Sequence, residues 1–506
     1  MVTILISKVA SKAATFPYRW NMKIIRTLSD YSTNEGLVVG VWVFARHGDR
    51  TPSRSLCPPE WKEHESMFWR TKLPTPDPVS VLKTFSENFP LDIHPSNQGK
   101  FIDVNRRPYG YLTYLGMEQL QTSGRRFAIR YDRHGHHCKR EDGDLFKSFL
   151  DSWDVQAFST NYLRTVLSVQ CFLDGLLATS SYTPCYKDRI LLEDIDALYV
   201  PDHSDFSHPK DGMVSIGVRD KTIDKLNAFD RNPALIKHLV TQVVTSPDFI
   251  KTDSQAAPLA ARLANYLPGL MRENRHTFGG PSGINWIEAT DHFVCRRSHA
   301  IPFCKFSQFE GDHEAERTLE AMEQNTLAHR TWRFRQWYQS PPLLAEIATP
   351  ALRDILEQMQ ATPGLGNQER HPFVLYGCHD VTILALLYAI GAEFLADENN
   401  ARWRFWPGYG TTLVFELVQI TDDLGAITHV VRVLLNGVPV KSVNLLNNSN
   451  SSPTEYLGKA PLNLLSLENF EQLITDLEVA GGMPHTFVES EGDSIPSGSV
   501  IKGETG

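Results

Sequence analysis

The apolar run Leu37 to Ala45 ends abruptly in the heptad Arg46-His47-Gly48-Asp49-Arg50-Thr51-Pro52. The run reads as a buried strand, and the heptad as a glycine-containing turn that places a histidine between two arginines. Two guanidiniums beside one imidazole are costly unless an anion neutralises them, so the turn is suited to a phosphate. With five positions fixed at about 5% usage each, chance supplies this pattern in roughly one chain of this length in ten thousand.

Two further segments share the order of apolar run, polar turn and helical period. Trp153 to Phe158 leads through Ser159-Thr160-Asn161 to Val166, Val169, Leu173, Leu176 and Leu177 at helical spacing. Pro372 to Tyr376 leads through Gly377-Cys378-His379-Asp380 to Ile383 to Ile390, closed by Gly391. Such repetition predicts an α/β fold with parallel strands, whose ligand crevice lies at the carboxyl ends where the three turns meet. Leu112 to Tyr131 reads as a helix with Thr113 as N-cap and Met117, Leu120, Gly124, Phe127 and Tyr131 on one face. From about 196 to 345, Pro233 to Val244, Ala257 to Glu273 and Ala315 to Tyr338 read as helices of an inserted second lobe. After Gly408, Thr411 to Val418 and Thr428 to Leu435 alternate as strands, with Asn436-Gly437 as a turn signal. The expected fold is a three-layer α/β sandwich with a mostly parallel central sheet and a largely helical cap.

A chain of 506 residues exceeds what one core needs, which fits two lobes. Its net charge of −9 argues against a nucleic-acid surface. The longest apolar runs, Leu37 to Ala45 and Val381 to Ile390, are too short for a transmembrane helix. The seven cysteines (57, 138, 171, 185, 295, 304 and 378) are odd in number and lack CxxC spacing, so reduced thiols are expected; sequons at Asn447 and Asn450 pull weakly the other way. Lys8, Lys12, Arg19, Lys23 and Arg26, with no acid before Asp30, give residues 1–35 the composition of a mitochondrial targeting segment, against the alternative of a cytoplasmic or secretory protein. The main domain is expected over 36–480, and the Gly/Ser-rich tail 481–506 is expected to be disordered.

The three turns would bring together Arg46, His47 and Arg50, then Arg164 from the opening of the second helix, then His379 and Asp380. Separately, a His-Asp pair is commonplace and an arginine on a helix is a solvated surface residue. Together they suit a phosphomonoester dianion with a protonatable leaving group, aided by free N–H groups at helix N-termini. Other candidates read more plainly. His134-Gly135-His136-His137-Cys138 is a solvated loop rather than a metal site, Cys378 points away from its neighbour His379, and Asp291-His292 in the helical lobe is structural. Trp403, Phe405 and Trp406 near Pro407 read as core packing, with a substrate-contacting wall as the alternative.

Arg46-His47-Gly48-x-Arg50-x-Pro52, Ser159-Thr160-x-x-x-Arg164-Thr165 and His379-Asp380 resemble the three signatures of the histidine acid phosphatases, branch 2 of the histidine phosphatase superfamily. The resemblance runs from about Val38 to Leu477 and includes Leu112-Thr113-x-x-Gly116-Met117-Glu118-Gln119, Val431-x-x-Leu434-x-Asn436-Gly437 and Pro461-Leu462. Ser159-Thr160-Asn161-x-x-Arg164 and His299-x-x-Pro302-x-Cys304 look most like the lysophosphatidic acid phosphatase group, which has mitochondrial members. Ser53 to Pro108 and the insertion beyond Pro233 match poorly.

The resemblance implies a small phosphate-monoester substrate, no cofactor and no metal. His47 would form a phosphohistidine, Arg46, Arg50, Arg164 and His379 would bind the phosphoryl group, and Asp380 would serve as acid and then base. Lysophosphatidic acid is the leading substrate and an inositol phosphate the main alternative, with Arg54, Arg106 and Arg107 as candidate extra cations at the mouth. A phosphoglycerate-mutase-like enzyme would lack the Arg-x-Pro that follows Arg-His-Gly. A non-catalytic phospho-ligand-binding protein would be expected to lose His47 or Asp380, and both are present.

Overall fold

The structure, a computed structural model, describes residues 36–75, 77–97, 101–131, 149–177, 213–271, 283–362, 370–396, 404–421, 424–443 and 464–482. The segment before 36, the His134 to Cys138 loop, Trp403, both sequons, Pro461-Leu462 and the tail beyond 482 lie outside the described residues.

In chain order the strands are β1 (Leu37–Arg46), β2 (Leu91–Ile93), β3 (Trp153–Ser159), β4 (Ile216–Val218), β5 (His371–Cys378), β6 (Thr412–Thr421), β7 (Ile427–Leu435), β8 (Val438–Pro439) and β9 (Leu464–Ser466). They build one sheet in the order β2-β4-β3-β5-β1-β6-β7-β8, with β9 also paired to β7. Every neighbour from β2 across to β1 is parallel. Every pairing beyond β1 is antiparallel. The parallel part anticipated from the three strand-to-turn segments is thus one side of a mixed sheet, and the strands after Gly408 extend it. Asn436 and Gly437 turn β7 into β8 with φ of 52° and 81°, the left-handed conformations that a two-residue hairpin requires.

Helices cover both faces. Side chains alternate along β1, so Trp42 and Phe44 join one core with the helices Pro341–Ala361, Asp380–Ala389 and Leu467–Gly481. Val41, Val43 and Ala45 join the other, with Pro78–Ser86, Tyr114–Arg130 and Leu163–Leu177. A strand buried on both faces has no place for alternating polar residues, which is why Leu37 to Ala45 is an unbroken apolar run. Thr113 caps the Tyr114–Arg130 helix by accepting from the Gly116 amide at 3.1 Å.

The helical lobe has its own core of Leu263, Trp286, Phe293, Leu319 and Met322, joined by Leu56 from the chain after the heptad. Parts of the 196–345 insertion belong elsewhere. The helix Pro233–Val244 and the end of the long helix His313–Tyr338, with Phe334, Trp337 and Tyr338, pack into the core of the sheet. That long helix therefore runs from the lobe to the sheet.

The heptad departs from the strand-turn-helix pattern: residues 51–58 are irregular, and the first α-helix begins only at Lys62. The backbone of this loop is bonded instead to residues 108–112. Arg50 bridges Leu112, the Thr51 amide donates to Tyr111 O at 2.9 Å, and Thr51 Oγ1 donates to Pro108 O at 2.5 Å.

The helices Tyr114–Arg130 and Leu163–Leu177 touch through glycine. A Cβ on Gly124 would lie 2.0 Å from Phe172 O, and one on Gly175 would lie 2.0 Å from Gln121 O. Gly175→Ala is expected to destabilise the protein by about 1–3 kcal/mol through overpacking. Because Arg164 rides on the same helix, the variant should also raise KM for a phosphate monoester. Urea unfolding and steady-state kinetics would measure the two effects, and an unchanged midpoint would contradict the packing described.

Candidate active site

Strand register puts the three turns together. Ser159 is level with Gly377 and Gly377 with Ala45, so β3, β5 and β1 end side by side. The ladder continues past the strands: the Thr160 amide donates to Gly377 O and the His47 amide to Cys378 O, each at 3.2 Å. The heptad turn is pressed against the neighbouring helix. A Cβ on Gly48 would fall 2.3 Å from Gly116 O, so no other residue fits there without moving the helix. Ser168, from the helix that carries Arg164, accepts from the Gly48 amide at 3.2 Å.

All six residues expected at the site meet here. The rings of His47 and His379 stand edge to face with centroids 5.7 Å apart. His47 Nδ1 lies 2.9 Å from Gly48 O. A carbonyl can only accept, so Nδ1 carries the hydrogen and the neutral ring keeps its lone pair on Nε2. His379 is the N-cap residue of the Asp380–Ala389 helix, and its Nε2 shares a hydrogen bond with Thr160 Oγ1 at 3.2 Å.

Each arginine is braced by one carboxylate. Arg46 meets Asp380 Oδ2 at 2.7 Å, donates to Pro407 O at 2.6 Å and lies over the ring of Tyr409. Arg50 forms a two-pronged pair with Asp291 at 2.8 and 3.1 Å. Arg164 meets Asp103 Oδ2 at 3.0 Å and lies over the ring of Tyr162. Asp103 also accepts from the Leu163 amide at 2.7 Å, so one buried carboxylate both satisfies the first turn of the helix and aims its arginine.

Burial, reinforced by Arg164, Arg46 and Arg50, holds the His47 imidazole well below its ordinary pKa of 6.5. His379 is lowered by burial and then by Arg164, against an opposing pull from Asp380. Burial would raise the Asp380 carboxyl, but Arg46, Arg330 and the Trp406 indole outweigh it and hold it at about 2. The resting site thus presents neutral imidazoles beside an ionised carboxylate and braced guanidiniums. Such an arrangement can receive a phosphoryl group at a nucleophile that is already unprotonated.

Several partners were not anticipated. Asp291, read from sequence as structural, orients Arg50 and accepts from the Ser53 amide at 2.6 Å, whereas its neighbour His292 turns away to Phe303 O. Trp406, expected in the core, donates from Nε1 to Asp380 Oδ2 at 3.0 Å, while Phe405 packs on Phe394. Asp103 lies in the stretch that matches the signatures poorly, and an isolated aspartate gives no local signal. Asp49 of the heptad accepts from Thr113 Oγ1 at 2.6 Å and from His299 Nε2 at 2.7 Å, which ties the lobe to the turn. Cys57, Cys171, Cys295, Cys304 and Cys378 are free thiols. Burial pushes the Cys378 thiol far up, so it is no thiolate. Among the described residues no three His, Cys, Asp or Glu side chains stand together as metal ligands would.

None of the curated proteins compared matches the chain. Solved structures with a similar fold include a multiple inositol polyphosphate phosphatase of Bifidobacterium longum (14% identity, TM-score 0.48, covering 89% of this chain and 94% of that one). They also include the phytases of Hafnia alvei (12%, 0.46, 90% and 100%) and Citrobacter braakii (16%, 0.45, 88% and 99%). The family model described as histidine phosphatase superfamily (branch 2) matches residues 38–436, a span that holds all three turns and the inserted lobe. The chain therefore belongs to the histidine phosphatase superfamily, branch 2, and is a histidine acid phosphatase.

Proposed function

We propose that the protein hydrolyses phosphate monoesters through a phosphohistidine on His47. The observation that carries this reading is the His47 ring itself: unprotonated on Nε2, fixed through Nδ1 and surrounded by Arg46, Arg50 and Arg164. Nε2 attacks phosphorus, the P–N bond forms, the ester P–O bond breaks, and the Asp380 proton goes to the leaving alkoxide. Water then attacks phosphorus, Asp380 takes its proton, the P–N bond breaks, and phosphate leaves. The three arginines and His379 hold the phosphoryl oxygens while charge redistributes among them.

Asp380 must gain a proton to act as the acid, although Arg46, with Arg330 and Trp406, holds it ionised at about 2. A phosphate dianion reverses this. It draws Arg46 toward its own oxygens and adds two like charges beside the carboxylate, and both changes raise the proton affinity of Asp380. Turnover of alkyl phosphates is accordingly strongest in acid and declines as pH rises.

For the leaving group we carry the inositol phosphate reading ahead of lysophosphatidic acid. Arg106 and Arg107 follow closely after Asp103, and neither side chain has an acidic partner among the described residues. Unmatched charge there favours a leaving group bearing further phosphates. Arg54, the third candidate, is already taken by Glu288 at 2.7 Å and by Gly269 O. Phosphate release from inositol phosphates, lysophosphatidic acid, phosphotyrosine and sugar phosphates would rank the classes, and preference for the singly phosphorylated lysophospholipid would reject this order.

In acid-sensitive trapping with a labelled monoester, wild-type protein in EDTA should carry acid-labile, alkali-stable phosphate that His47→Ala lacks. Ordinary turnover by His47→Ala would end the covalent reading, and loss of activity in EDTA restored by a divalent ion would end its metal-free form. Asp380→Asn should slow an alkyl phosphate by roughly 10²–10⁴. Under conditions where phosphorylation limits the rate, it should slow p-nitrophenyl phosphate far less, because that leaving group needs no proton. Equal losses on both substrates would remove Asp380 from the acid's role.

A further inference from the structure

The long helix His313–Tyr338 crosses from the lobe core to the sheet core and brings Arg330 to the edge of the site. Arg330 is only 8% exposed. Its guanidinium carbon lies 3.7 Å from the centroid of the Trp406 ring, Nη1 donates to Thr290 Oγ1 at 3.2 Å, and Nε has no partner. Arg46, Arg50 and Arg164 each have a carboxylate at 2.7, 2.8 and 3.0 Å respectively. Arg330 has none within ion-pair distance among the described residues. A buried cation without its own anion destabilises a fold, so an arginine retained in that position calls for a function.

The charges around the crevice make that function specific. The three arginines around His47 are each committed to a carboxylate, whereas Arg330 is committed to none, and its contact with Trp406 places it behind the indole that donates to Asp380. We propose that Arg330 is a positioning residue for the phosphatase reaction, clamping Trp406 against Asp380 and setting the proton affinity of that carboxylate from behind the indole. This inference rests on the acid role proposed for Asp380.

The groups facing Asp380 are Arg46 from β1, Cys378 and His379 from the end of β5, Trp406 from the approach to β6, and Tyr338 and Arg330 from the long helix. Arg46 is drawn to the phosphoryl oxygens when substrate binds, whereas Arg330, held by the indole and Thr290, stays. Burial brings the Arg330 pKa down to about 10, which leaves it charged across the working range. In the loaded enzyme it is therefore the fixed cation that limits how far the proton affinity of Asp380 can rise.

The test compares pH profiles of kcat, measured where phosphorylation limits the rate and so reporting the loaded enzyme, for an alkyl phosphate and for p-nitrophenyl phosphate in wild type, Arg330→Met, Arg330→Gln and Arg330→Lys. Loss of a cation raises the proton affinity of a nearby carboxylate. The alkaline limb for the alkyl ester should therefore move up by about one pH unit in the methionine and glutamine variants. The limb should stay near its wild-type position in Arg330→Lys, and the aryl ester profile should stay in place throughout. Tm of Arg330→Met should be unchanged or higher, because an unpaired buried charge has been replaced by an apolar chain. An unmoved limb in folded Arg330→Met overturns the inference. Failure of both neutral variants to fold also overturns it, since the charge would then serve the fold. A wild-type enzyme with no alkaline limb on the alkyl ester would instead reject the acid role of Asp380.

Discussion

Three guanidiniums converge on one buried imidazole, and each is held in place by its own carboxylate: Arg46 by Asp380, Arg50 by Asp291 and Arg164 by Asp103. Without those acids, so much like charge beside His47 would cost several kcal/mol per unpaired ion. With them, the arginines are both affordable to the fold and aimed in advance. The same cluster keeps His47 neutral, because a further positive charge in the crevice is disfavoured by burial and by Arg164, Arg46 and Arg50. In the mechanism proposed above, electrostatic preorganisation and nucleophile activation come from this single arrangement, and the Arg46–Asp380 pair is the part that rearranges when substrate arrives.

That arrangement depends on rigid placement. The ends of β1, β3 and β5 are level because the strands are parallel and in register, so a shift in one would carry its turn away from the other two. Glycines set the remaining distances: Gly48 against Gly116 seats the heptad turn, and Gly124 against Gly175 seats the helix that carries Arg164. The lobe is joined to the same point through His299 on Asp49, Asp291 on Arg50 and the long helix bearing Arg330. The cap and the three turns are therefore mechanically connected through a hydrogen bond and an ion pair rather than through loops alone.

The fold was legible in the sequence where one periodicity governed one element. The continuous apolar run of β1, the β-prone runs of β6 and β7 (which the structure buries without alternation in β6), the Asn436-Gly437 turn and the Thr113 cap all follow from local physics. The convergence of Arg46, His47, Arg50, Arg164, His379 and Asp380 was legible because each sits in a short pattern at or just beyond a strand end. Apart from Asp380, the residues that brace them were not. Asp103, Asp291, Trp406 and Arg330 reach the site from distant segments, and a single Asp or Trp in a loop or helix has no local signature. The irregular chain from Thr51 to Pro58 was also missed, because Arg50, Thr51 and Pro52 pair with residues 110–112 and Leu56 O accepts from the Gly269 amide, pairings no window of adjacent residues can show.

The ionisation and tautomer of His47 test this account most directly. Long-range ¹H–¹⁵N correlation spectra of imidazole-labelled protein, recorded through pH 6.5, report both ring nitrogens of His47 once its signals are assigned by comparison with His47→Ala. At pH 6.5 an ordinary imidazole is half protonated. The expected result is a neutral ring at that pH and below it, with the hydrogen on Nδ1 and the lone pair on Nε2. An imidazolium already present at pH 6.5, or a neutral ring carrying its hydrogen on Nε2, would contradict the account.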